Sequence, residues 1–215
     1  MAARHIYKDS AGKRLPSVTT IIGRFKDSGA LLYWANTAGL NGQTLDEARI
    51  PAATAGTMAH TLVEAHLNKR DLPKLEGDAD TIAKARSAFD TFCEWHKTTK
   101  LEFLHTEVPL ASAKHDFGGT LDAIGMLNGR RVLIDFKTSN ALYADYLYQI
   151  AAYNILWTEN YPDSPIEGGF HLARFAKEQG DFTHSFFPNL KEEEEAFLAM
   201  RKLYDMVKKT EKRVR

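Results

Sequence analysis

Cysteine is almost missing from this sequence. Cys93 stands alone among 215 residues, which excludes an internal disulfide and any zinc or iron–sulfur site built from four cysteines. The expected setting is a reducing, cytosol-like compartment. Apolar runs of membrane-spanning length are missing too. Residues 1–9, Met-Ala-Ala-Arg-His-Ile-Tyr-Lys-Asp, lack the apolar stretch of a signal peptide. A cytoplasmic protein with no membrane partner is therefore expected. An excess of charge is also lacking, with 28 basic residues against 28 acidic ones. Bulk charge thus announces no nucleic-acid partner and argues against tight, non-specific duplex binding; any basic groove must be local. Internal repeats and low-complexity stretches are absent. What is present suits a single domain over 1–215, long enough to bury a substantial core.

The most informative stretch is 117–138, where two β-prone runs flank Asn128-Gly129. That dipeptide is the strongest short-range signal for a two-residue hairpin turn. With those two residues as the loop, Leu127 faces Arg130, Asp122 faces Asp135 and Thr120 faces Lys137. Strand side chains alternate, so Asp122, Asp135 and Lys137 are expected on one face. Directly opposed Cβ atoms stand roughly 4.5–5.5 Å apart, where like charges repel. A divalent cation between the carboxylates would remove that cost, since hard cations such as magnesium take oxygen ligands. The Lys137 ammonium would stand beside it, within reach of a water or a phosphate oxygen. Taken alone, the pair reads equally well as the solvated polar face of a hairpin, and a β-bulge would shift the register by one.

Around this hairpin the patterns predict mostly helix before residue 100 and the strands after it. Residues 5–15 read as a short hairpin, and Ser17 caps a helix running to about Phe25. Residues 29–39 and 44–50 read as helical pieces, with Tyr33 and Trp34 assigned to helix core rather than to base stacking. Ala55–Asn68 is an amphipathic helix with Met58, Ala59, Leu62, Val63 and Leu67 on its apolar side and His66 within that stripe. His60 and Glu64 lie one turn apart at its far edge. His60 and His66 point in different directions, which excludes a His-Glu-x-x-His zinc protease. Asp80–Lys97 is a second amphipathic helix, in which Cys93 is a small filler. A strand beginning near Glu102 carries Glu107, and a helix from Leu142 to Tyr161 carries Gln149 and Tyr153 one turn apart. Strands at Ile166–Phe175 and Asp181–Phe187 are joined through Lys177–Gly180. The last helix, Leu190–Lys209, opens on Glu192–Glu195, a run that suits a helix N-terminus better than a metal site.

Four motifs follow one another: Gly56-x-x-x-His60 on a helix, Gly119-x-x-Asp122 and Asp135-x-Lys137 on strands, and Gln149-x-x-x-Tyr153 on a helix. In these motifs and their order, over residues 56–153, the chain resembles the PD-(D/E)XK nuclease superfamily and, within it, the RecB-type exonuclease branch. The Leu15-Pro-Ser-Val-Thr19 segment is also similar to mitochondrial single-stranded-DNA exonucleases and their phage relatives. The resemblance implies an α+β (α/β) fold with a restriction-endonuclease-like core. In it a central mixed sheet is flanked by helices over 101–215, and an N-terminal helical cap or arch spans 1–100. It implies Asp122 and Asp135 as carboxylate metal ligands, His60 as a further ligand and the Phe136 carbonyl as another oxygen donor. Lys137 would hold and polarise the attacking water. Gln149 and Tyr153 would bind the DNA backbone or support the site. Glu107, in the strand before Asp122 where some relatives carry an acid, would stand behind the ligands, with Glu64 and Ser17 as further supporting candidates. Asp135 replaces the commoner Glu before Lys137, which the family permits. The cluster-binding cysteines of some relatives are absent, so no iron–sulfur cluster is expected.

The implied activity is hydrolysis of DNA phosphodiesters with Mg2+ or Mn2+, leaving 5′-phosphates. One imidazole among oxygen ligands suits manganese at least as well as magnesium. The expected enzyme is an exonuclease on single-stranded DNA or resected ends, serving recombination, repair or phage DNA metabolism in a bacterial or phage-infected cytoplasm. A recombination protein is a candidate partner. The alternatives are a structure-selective endonuclease on branched or flap DNA, and an inactive DNA-binding subunit that kept the fold. Intact Asp122, Asp135 and Lys137 speak against the last.

Overall fold

The computed structural model describes residues 5–26, 29–175 and 181–214. Its elements are α1 (Val18–Phe25), α2 (Gly29–Leu40), α3 (Leu45–Leu67), α4 (Ala79–Thr98), β1 (Leu101–Ser112), β2 (Phe117–Leu127), β3 (Arg130–Lys137), α5 (Ala144–Asn160), β4 (Phe170–Phe175), β5 (Phe182–Phe187) and α6 (Lys191–Glu211). The strands form the expected mixed sheet, in the order β1-β2-β3-β4-β5, with β3 and β4 parallel and the other neighbours antiparallel. A parallel pair cannot be closed by a hairpin, so α5 makes the crossover between β3 and β4. Val132–Phe136 and the whole of β4 are buried, as central, doubly covered strands should be.

Two apolar layers provide that cover. Leu121, Ile124, Leu133 and Leu172 pack with Ile21 of α1, Ile150 and Trp157 of α5, and Phe197 of α6. Val132, Ile134, Phe136 and Phe175 pack with Leu62 and Val63 of α3 and with Phe89, Phe92 and Trp95 of α4. Successive residues of β3 thus serve opposite layers. The helices before residue 100 divide accordingly. α1, α4 and the inner part of α3 belong to these layers, while α2 and the outer turns of α3 lie outside them. α2 packs against α3 and leaves Leu32, Tyr33 and Leu40 exposed.

Local chemistry explains most of the boundaries. The Ser17 hydroxyl accepts the Thr20 N–H at 3.1 Å and caps α1. Asn128 and Gly129 both take positive φ, 52° and 76°, as a two-residue primed turn requires, and the register runs as expected from Leu127↔Arg130 to Ala123↔Ile134. Asp9 accepts from the amides of Ala11 and Lys13 and closes the small hairpin at residues 5–15. One expectation fails: the helical pieces at 44–50 and 55–68 are a single helix. A reciprocal capping box between Thr44 and Glu47 starts it, and it continues through Pro51, whose missing N–H costs one ladder bond without ending it. The expected connection through Lys177–Gly180, and residues 1–4 of the segment read against a signal peptide, lie outside the described residues. Among the described residues no helix is long and apolar enough to cross a membrane.

A histidine pair in the sheet gives the fold a pH signature. His171 on β4 is buried, its Nδ1 lying 2.9 Å from His184 Nε2 on β5. Burial, then the His184 ring, push His171 down to about 4. The unfolded chain takes up this proton near pH 6.5 and the folded chain does not. Stability is therefore intact above about pH 6.5 and falls between there and pH 4, at no more than about 1.4 kcal/mol per pH unit for this group. Urea unfolding at pH 7, 6 and 5 should show a shallower acid decline for His171→Phe than for the parent. Identical slopes would place the sensitivity elsewhere.

Candidate metal centre

At the end of the hairpin remote from its turn, β2 and β3 part. Their ladder runs no further than Ala123↔Ile134, while β2 continues against β1 as far as Phe117 and β3 against β4 as far as Lys137. Asp122 and Asp135 stand at this fork, one step past the last pair, so the expected facing pair is not a ladder pair. The Phe136 N–H instead donates to Asp122 Oδ2 at 2.8 Å. Thr120, expected opposite Lys137, pairs with Pro109, and its hydroxyl meets the Tyr7 hydroxyl at 2.8 Å. The fork opens into a cleft of about 620 Å3 beneath α3, lined by His60, Glu107, Asp122 and Lys137 and also by Trp34 of α2 and Arg49 of α3.

His60, Glu107 and Asp122 each offer a ligand atom, and the three atoms lie within 4.8 Å of one another. His60 Nδ1 is 4.0 Å from Asp122 Oδ2, too far for a hydrogen bond. Two metal–ligand bonds of about 2.1 Å span at most about 4.2 Å, so a small hard cation fits that gap. The Glu107 carboxylate, for which a place behind the ligands is expected, lies level with the His60 and Asp122 side chains. Its neighbours pair as Thr106↔Ala123 and Val108↔Leu121, which sets Glu107 across from Asp122. Its φ is +51°, a left-handed conformation that is costly for a side chain of this size and recurs at functional sites.

Asp135 lies outside that trio. It is fully buried, and its Oδ2 forms an ion pair with Lys137 Nζ at 2.5 Å, without the alignment of a directed hydrogen bond. Gln149 bridges the pair: its Oε1 accepts from Lys137 Nζ at 3.1 Å, and its Nε2 donates to Asp135 Oδ1 at 3.4 Å and to the Tyr153 hydroxyl at 2.8 Å. The Tyr146 ring lies 4.6 Å from the same ammonium. Gln149 reaches the cleft, whereas Tyr153 is buried behind it at 5% exposure. Ser17 lines a separate groove that shares only Thr120 with the cleft. Glu64 lines the cleft and pairs with Arg70 at 2.5 Å.

The electrostatics are those of crowded acids. Burial raises Glu107 to about 8, and the charges of Asp122, Glu64 and Asp135 add to the effect. Burial also raises Asp122 and Asp135, against the opposing pull of Lys137. Burial and then the Lys137 charge lower the His60 imidazole, although 31% of its side chain meets solvent, which weakens the first cause; the Asp135 charge and the Phe136 backbone offset part of the effect. A neutral imidazole beside partly protonated carboxylates is a donor set in which a cation can take the place of protons.

Two motif glycines have packing reasons. A Cβ on Gly56 would stand 2.7 Å from Thr138 Oγ1, so glycine lets α3 close on the end of β3. A Cβ on Gly119 would stand 2.8 Å from the Tyr153 ring. Sequence reasoning missed Arg49, Trp34 and Tyr146 as cleft residues; only the three-dimensional approach of α2, α3 and α5 reveals them.

No family profile matches this chain, and no curated protein matches it. Among solved structures it is similar to a "Putative exonuclease" from Eubacterium rectale, at 11% identity and a TM-score of 0.47 over 69% of this chain, and spans 64% of that protein's length. It is also similar to SSO0001, at 13% identity and a TM-score of 0.37, over 72% of this chain and 73% of the other.

Proposed function

We propose that the chain is a metal-dependent hydrolase of DNA phosphodiesters, an exonuclease of single-stranded or resected ends. The carrying observation is the convergence of His60, Glu107 and Asp122 to within 4.8 Å beside the Lys137 ammonium, in an open cleft. The order of the sequence motifs supports the same reading. His60, Glu107 and Asp122 would hold the cation, with Asp135 and the Phe136 carbonyl as the neighbouring oxygen donors. Bound there, magnesium or manganese would supply Lewis acidity, lowering the pKa of water and offsetting charge on a phosphate oxygen. Lys137 holds the attacking water or a non-bridging phosphate oxygen, donating a hydrogen bond that strengthens as negative charge develops. Gln149 fixes the direction of that ammonium, and Tyr153 fixes Gln149. Arg49 at the cleft's outer side meets the backbone phosphate. The biological setting that fits is recombination, repair or phage DNA metabolism.

The test is a gel assay with end-labelled single- and double-stranded DNA, a covalently closed single-stranded circle, and magnesium, manganese or chelator. Linear single strands should be shortened only with metal, while the circle stays intact. Lys137→Ala should lower the rate by at least about a hundredfold. Cleavage in chelator, or unchanged cleavage by Lys137→Ala, would remove this site from the chemistry. Cutting of the circle would make the enzyme an endonuclease.

A further inference from the structure

We propose that α2 is a stacking platform for the bases of an unpaired nucleic-acid strand on its way into the cleft, with Trp34 at its inner edge and Tyr33 beyond. This rests on the hydrolase reading above and adds the surface that receives the strand before it reaches that site. The chain has three tryptophans. Trp95 and Trp157 are 8% and 2% exposed, but Trp34 is 38% exposed and its neighbour Tyr33 is 76% exposed. Large aromatic surface left to water needs a reason, and here it is continuous with the site: Trp34 lines the same cleft as His60 and Lys137. Adjacent helix positions differ by about 100°, so Trp34 faces the cleft while Tyr33 is turned toward solvent beside it.

The occupant follows from chemistry. Arg49 lines the cleft with Trp34, and its side chain is 60% exposed beyond its contact with Asp46. An aromatic face next to an available guanidinium matches a base next to a phosphate. In a duplex both faces of each base are already stacked on neighbours, so a protein ring finds a free face only on an unpaired strand.

Fluorescence tests this directly. A twelve-residue oligothymidylate is added in chelator, which prevents hydrolysis, and tryptophan emission is followed; a fluorescein-labelled copy reports affinity by anisotropy. The single strand should quench the emission, and a blunt duplex of the same length should not. Trp34→Phe should abolish the quench yet keep affinity within about twofold, because phenylalanine still stacks. Trp34→Ala and Tyr33→Ala should each weaken binding by about fivefold to a hundredfold. Unchanged affinity in both alanine variants, or equal quenching by duplex, overturns the platform. So does a dimer in sedimentation velocity that Tyr33→Ala dissolves without altering DNA affinity, since the face would then be covered by a second copy. Metal-dependent hydrolysis on the same preparations separates the two readings. Hydrolysis without these stacking effects sinks the platform alone, and the stacking effects without hydrolysis sink the hydrolase alone.

Discussion

Asp122→Asn should lower metal-dependent DNA hydrolysis by at least about a thousandfold and leave the fold standing. Asp122 has two jobs at the fork. One oxygen accepts the Phe136 amide at 2.8 Å, and the carboxylate belongs to the trio with His60 and Glu107. Asparagine keeps an acceptor for the amide, so the opening between β2 and β3 retains its shape. It loses the negative charge, and with it the attraction for a cation. It also removes one of the charges that raise Glu107, so the metal-free variant should melt no lower than the parent. Cleavage rates on an end-labelled single strand, with circular dichroism melts, check both halves. A variant that cleaves at close to the parent rate would show that the reaction takes place elsewhere.

Glu107→Gln should act with opposite signs in the presence and absence of metal. In the metal-free fold Glu107 titrates at about 8 against an ordinary 4.5. Between those values the folded chain keeps a proton that the unfolded chain has released. Stability from this group is therefore full at low pH and is lost as pH rises from about 4.5 to 8. Glutamine carries no such charge, so at pH 8 in chelator the variant should be more stable, by on the order of 1–2 kcal/mol. With manganese the order reverses, because the parent gains binding energy that the variant lacks. Calorimetric titration should show manganese affinity lowered by about tenfold to a hundredfold or more. Equal melting in chelator at pH 8, together with equal manganese affinity, would remove Glu107 from the ligand set.

The sequence made the hairpin legible because its turn is chemically explicit. Asn128-Gly129 selects one loop length, and one loop length selects one register. The cap at Ser17 was legible as an oxygen-bearing side chain just before a short helical stretch. Where the ladder would stop was not legible. Its end depends on β1 and β4 drawing the two strands apart, and this is why Asp122 meets a backbone amide instead of facing Asp135. The place of Glu107 was hidden for a related reason: a register shift in β1 between Phe103 and His105 conceals, in a one-dimensional reading, that it ends across from Asp122. Tyr33 and Trp34 were assigned to core because aromatic residues in a helix usually are; the buried side of α2 instead runs through Ala38.

A single 23-residue rod, α3, carries Arg49 near its outer end and the His60 imidazole further in. Whatever tugs on the guanidinium therefore reaches the ring nitrogen beside Asp122 through one continuous helix, softened at Pro51 where a ladder bond is missing. Movement at that joint should be felt at both ends of the cleft.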